Sequence, residues 1–183
     1  STATFGSVGP IYAIAVGLDL SQIALFLVVS TVGGMISQLP AGMLADKVPR
    51  RSVLLIFSVM ASITCLSMML PVTNSVIGGI ALVYVMSFLF GFTTFPIYSI
   101  CAAHASDFVD QDRMMMLSAS LIFLYATGAI VSPLLAGWII GVFGPRMMFS
   151  LIAAAHVALM AFTVYRNFAR PAAQQRRYAY IPR

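Results

Sequence analysis

The residues able to do chemistry are few. The densest group is Asp46, Lys47, Arg50 and Arg51, inside the stretch Gly42-Met43-Leu44-Ala45-Asp46-Lys47-Val48-Pro49-Arg50-Arg51. One acid beside three bases offers ion pairing, not bond-making. A second charged group, Asp107, Asp110, Asp112 and Arg113, lies further on. The histidines, His104 and His156, and the cysteines, Cys65 and Cys101, are scattered along the chain, and no serine sits in a nucleophile elbow near them. No cluster has metal-ligand spacing, and no glycine-rich loop is arranged for phosphate. The chemistry on offer is recognition and charge pairing. An enzyme is not expected, nor are a cofactor, a bound metal or a nucleic-acid partner.

The elements that position these residues are apolar. Hydrophobic residues make up 61% of the 183-residue chain and charged residues 8%, whereas a soluble domain carries roughly 25% charged residues. Such a chain cannot clothe an aqueous surface, so an all-α integral membrane protein in a lipid bilayer is expected. Continuous apolar runs exclude a β-barrel, whose strands alternate over about 9–11 residues. Cys65 and Cys101 lie within these runs and read as buried small residues.

Six spans follow: Thr2–Gly17, Gln22–Ala45, Ser52–Leu70, Val76–Ala103, Met114–Val142 and Met147–Tyr165. The first falls short of the roughly 20 residues a full crossing needs. It reads as the distal part of a helix, and the chain, which opens at Ser1 with no basic n-region, reads as a piece of a longer polypeptide. Ser21 is a good N-cap for the second span. Pro71-Val72-Thr73-Asn74-Ser75 and Phe143-Gly144-Pro145-Arg146 read as tight turns. Residues 1–165 form a transmembrane bundle and 166–183 a basic tail. With loops on alternate sides, Lys47, Arg50, Arg51, Arg113, Arg166, Arg170, Arg176, Arg177 and Arg183 share one side, and Arg146 alone faces the other. Positive-inside bias makes the first side cytoplasmic, with the C-terminus there.

Polar and small residues inside the spans are the candidates for contact with a solute. Tyr84, Phe88, Gly91, Phe95 and Tyr98 recur at four- and three-residue steps on one helix face. They read either as a packing or lipid-facing stripe or as a cavity wall. Tyr125 belongs to a comparable polar face with Ser118, Gly128 and Ser132. Tyr12, Thr31 and Gln38 complete the set. An amide such as Gln38 finds no partner in lipid, and a helix–helix hydrogen bond and a solute contact fit it equally well. Small residues at Ser30, Gly34, Ser37 and Ala41 permit close helix approach. Gly128, Ser132, Pro133 and Gly137 mark either tight packing or a hinge. No Asp, Glu, Lys or Arg occurs from Ser52 to Ser106, and intramembrane acids usually mark proton relays. His156 reads as a histidine bonded to a neighbouring helix, and His104 as a helix-end or loop contact.

The stretch Gly42–Arg51 resembles the cytoplasmic loop signature of the major facilitator superfamily, roughly G-x-L-a-D-r-x-G-r-r. Gly128-Ala129-Ile130-Val131-Ser132-Pro133 with Gly137 is similar to its G-x-x-x-G-P-x-x-x-G pattern, with Ser for the second Gly. His104-Ala105-Ser106-Asp107, the Leu-Tyr-Ala-Thr-Gly run and the Arg-rich tail resemble its bacterial YcaD-like branch. The resemblance implies the C-terminal six-helix half of that fold, helices seven to twelve, built from two inverted three-helix repeats. It implies a secondary transporter of a bacterial inner membrane, moving a small solute by alternating access against a second six-helix half. That half would be in the same polypeptide or a homodimer partner. It implies a conformational gate at Gly42, Asp46, Lys47, Arg50, Arg51, Asp107 and Arg113, with Asp46 pairing to nearby bases and to the other half. A non-transporting scaffold, sensor or regulator of the same fold is the alternative. Pro49 departs from the signature's Gly. Because Pro cannot take a positive φ, the turn must be built differently.

Overall fold

The computed structural model describes residues 1–70 and 79–169. Among them the chain is helical, with no strand. The helices are α1 (Thr2–Ala15), α2 (Leu20–Lys47), α3 (Arg50–Met69), α4 (Gly79–Ser106), α5 (Met114–Phe143) and α6 (Met148–Ala169). Among the described residues, five helical segments are long and apolar enough to cross a membrane: Leu20–Lys47, Arg50–Met69, Leu82–Ser106, Gln111–Phe143 and Pro145–Arg166. α1, at 14 residues, is shorter than a crossing, as its sequence indicates. The turn at Pro71–Ser75 and the tail beyond Ala169 lie outside the described residues.

Local sequence sets the helix ends. Gly17, at φ 89°, takes the left-handed turn after α1. The N-cap of α2 is Asp19, not Ser21. The Asp19 carboxylate accepts from the Gln22 amide at 2.9 Å, and the Gln22 side chain accepts from the Asp19 amide at 2.9 Å. This reciprocal box satisfies two helix-end donors, where a lone serine would satisfy one. At the other end α2 runs through Asp46 and Lys47, so the connection to α3 shrinks to Val48 and Pro49. Val48 is extended (φ −123°, ψ 150°) and Pro49 has φ −51°. The turn uses no positive φ, which is how proline is accommodated. A 3-10 turn, Gln111–Arg113, leads into α5, and Gly144 at φ 93° opens a second, Pro145–Met147, before α6.

The tightest seam joins α2 and α4. The Ser87 hydroxyl donates to the Phe26 carbonyl at 2.6 Å. One turn further, Gly91 meets the Ser30 carbonyl, and another turn on, Gly34 meets the Phe95 ring. These pairs keep one offset along both helices, so α2 and α4 run in the same direction with four-residue ridges in register. A Cβ at Gly33 would run into the Phe88 backbone. Beside this seam Phe5, Tyr12, Phe26, Phe90 and Phe149 form a buried aromatic core, with Phe5 stacked on Phe90 at 4.3 Å. A second apolar cluster, including Ala45, Val53, Leu54, Phe57 and Ile100, joins α2, α3 and α4 nearer the charged loops. α3 packs between α4 and α6, and α1 packs along α5. α5 contributes only Ala136 to the buried set.

Candidate functional site

Two groups of candidates have a defined geometry. The first is a charged corner where the start of α3 meets the end of α4. Arg50 donates to the Ala103 carbonyl, and its guanidinium lies 2.9 Å from Asp107 Oδ1. A helix C-terminus leaves its last carbonyls unpaired and carries partial negative charge, so a guanidinium is well placed there. The Asp107 Oδ2 atom is 3.9 Å from Nδ1 of His104. Arg51, which is buried, donates from Nε to His104 Nε2 at 3.4 Å. Phe108 meets the His104 ring edge-on at 5.1 Å.

This corrects one expectation. Asp46 does not pair with the bases beside it in sequence. It is exposed and makes no ion pair among the described residues, and neither does exposed Lys47. The physical reason is the short turn at Val48 and Pro49. It starts α3 at Arg50, which places Arg50 and Arg51 against α4. Gly42 and Arg113 are also exposed.

The second group is a set of exposed polar side chains on α2, α4 and α5. Tyr98 and Tyr125 are 44% and 49% exposed and meet edge to face, ring centroids 5.4 Å apart. Gln38 is exposed, as is Thr31, whose hydroxyl donates to the Leu27 carbonyl at 3.0 Å. Thr31 and Gln38 are two turns apart, so they share a side of α2.

The aromatic series on α4 splits. Phe88 and Phe95 are half-buried at the α2 seam, Gly91 is buried within it, and Tyr84 packs on the aromatic core. Only Tyr98 is open. Tyr12 is buried, with its hydroxyl 3.3 Å from the Met68 carbonyl and its ring edge-on to Phe149 at 4.8 Å. It also lines a cleft of about 200 Å³ with Met68, Leu82, Val83 and Met86.

Among the packing candidates, Gly34 lies in the α2–α4 seam. Ser132 accepts a hydrogen bond from Thr4 at 2.8 Å, tying α5 to α1. Pro133 is half-buried within α5, and a Cβ at Gly128 or Gly137 would meet no atom within 4 Å. Gly33, Ser87 and Thr4 escape a reading based on spacing, because a single small or hydroxylated residue in an apolar run carries no signal until its partner helix is known. Among the described residues no three His, Cys, Asp or Glu side chains gather as a metal site.

Long apolar helices, helix seams with glycine at the crossings and exposed polar side chains within the spans describe a multi-pass membrane protein. The Major Facilitator Superfamily model matches residues 1–179, and the chain belongs to that family. Among curated relatives it is 24% identical to the uncharacterized MFS-type transporter YcaD of Escherichia fergusonii over 144 residues, 79% of this chain and 35% of the relative. It is 25% identical to the uncharacterized MFS-type transporter YfkF of Bacillus subtilis over 151 residues, 82% of this chain and 37% of that protein. The chain thus spans about a third of the length of the curated relatives it matches. No solved structure matches it.

Proposed function

We propose that this chain forms one six-helix half of a secondary transporter in a bacterial inner membrane, moving a small neutral or amphipathic solute by alternating access. Its family membership and its membrane-length helices supply the class. The observation that carries the solute-facing assignment is the Tyr98–Tyr125 pair. Two phenols stand half-exposed on different helices within apolar spans, where lipid offers their hydroxyls no partner. Together with Gln38 and Thr31 they would line a water-filled path between this bundle and a second one. α5, with Ala136 its one buried residue, would form much of that wall. No acid or base is placed at this depth on α4, which favours a solute without fixed charge.

The bundle is read as two inverted three-helix repeats, α1–α3 and α4–α6. In support, exchanging the triplets carries the α2–α4 contact onto α5–α1 and the α3–α6 contact onto itself. The second bundle would be the rest of a longer polypeptide or a second copy of this chain. The charged corner and the C-terminus would face the cytoplasm. There Asp46 and Lys47, exposed and without an ion pair among the described residues, would engage the second bundle when that side closes.

Uptake by the full-length gene product, reconstituted in liposomes with a panel of neutral and amphipathic solutes, tests this. Transport that falls in Tyr98→Ala, Tyr125→Ala and Asp46→Asn supports the reading. A folded, inserted protein that moves no solute would favour a scaffold, sensor or regulator that keeps the fold.

A further inference from the structure

His104 sits at the centre of the charged corner and, among the described residues there, is the one side chain whose ordinary charge change lies near neutral pH. Its surroundings constrain its protonation state. Arg51 donates from Nε to His104 Nε2 across 3.4 Å, so Nε2 must present a lone pair. The imidazole is then neutral, with its proton on Nδ1, the atom that faces Asp107 Oδ2 at 3.9 Å. Among the described residues, the charged groups around it are Arg50 and Arg51 from α3, Asp107 just past the end of α4 and Arg166 from α6. Asp46 and Lys47, at the adjoining end of α2, make no ion pair among the described residues. Phe108 closes one edge of the ring. One guanidinium bonds the imidazole and two more act on it through space, against one carboxylate whose Oδ1 Arg50 already occupies.

We propose that His104 makes this corner a pH-responsive latch, in which the neutral imidazole holds Arg51 and protonation releases the start of α3 from the end of α4. A proton added at Nε2 removes the acceptor, leaving two donors and two positive charges face to face. The new imidazolium also competes with Arg50 for Asp107. Both effects loosen the same joint. The device needs only that the corner meet water, on whichever side of the membrane, so it does not depend on the transport reading.

The test uses the full-length protein in lipid nanodiscs. Nitrogen-15 spectra of the imidazole report its tautomer and its titration. Spin labels at Ser52→Cys and Asp110→Cys, with Cys65→Ser and Cys101→Ser, report the separation of the two helix ends. The expected result is an Nδ1–H tautomer at high pH and a longer, broader separation on acidification, with the midpoint at which His104 titrates. His104→Gln should hold the short separation at every pH, and His104→Lys the long one. An Nε2–H tautomer, a titration with no change in separation, or an unchanged pH response in His104→Gln would overturn the latch. Should either variant fail to fold, the wild-type tautomer and the coincidence of the two midpoints still decide the matter.

Discussion

Gly91 on α4 lies so close to Ser30 on α2 that a Cβ on Gly91 would overlap the Ser30 carbonyl. The obstruction is backbone, which cannot swing aside. Gly91→Ala must push the helices apart and disturb the Ser87–Phe26 bond one turn away. Forced overpacking costs about 1–3 kcal/mol. Thermal unfolding in mild detergent should show that loss. Gly128→Ala, whose new methyl meets nothing within 4 Å in this bundle, should stay within about 0.5 kcal/mol of the parent.

The Arg50–Asp107 pair is half-exposed, its side chains 24% and 42% accessible. Its coupling should therefore be modest, on the order of 0.5–1 kcal/mol in a double-mutant cycle of Arg50→Ala and Asp107→Asn. Arg50→Ala alone should cost more than Asp107→Asn, because it also strips the Ala103 carbonyl of its donor. Equal single-mutant costs would contradict that ordering.

The Thr4–Ser132 hydrogen bond is a side-chain tie between α1 and α5 at 2.8 Å. Interhelical bonds of this kind average about 0.6 kcal/mol and reach roughly 1.7. Thr4→Val and Ser132→Ala should each destabilise by that order, and the double substitution by little more than either alone, when melting is followed in the same lipid.

Tyr98→Phe and Tyr125→Phe keep the rings and remove the hydroxyls. If the phenols hydrogen-bond the solute, KM for uptake should rise several-fold, with the protein inserted and melting as before. Tyr12→Phe loses only a contact to the Met68 carbonyl and should leave KM near the parent value.

Much of the architecture is legible in the sequence, and the reasons are physical. A membrane-length apolar run admits one structure, so the helix bounds follow the charge-free stretches closely. Gly34 is legible because Ser30, Ser37 and Ala41 share its face. Gly91 reads as one step of an aromatic series, and only the register of α2 against α4 reveals it as a contact point. The Asp19 cap is hidden because its partner, Gln22, also reads as a first helical residue. The charged corner is legible only as a group, since the resemblance places Arg50, Arg51 and Asp107 in one gate without saying which side chains meet. Arg50 finds Asp107 across 57 residues, and the stretch that holds Asp46 gives no hint that its arginines turn away toward α4.

On the proposed function, Gln38, Tyr98 and Tyr125 meet water inside the membrane. Substituted-cysteine labelling tests it most directly, in the full-length protein with Cys65→Ser and Cys101→Ser. Gln38→Cys, Tyr98→Cys and Tyr125→Cys should react with a membrane-impermeant maleimide. Val32→Cys and Ile36→Cys, exposed at 41% and 51% on another side of α2, should not. Equal, slow labelling at all five positions would mean that these residues meet lipid, and would contradict the account.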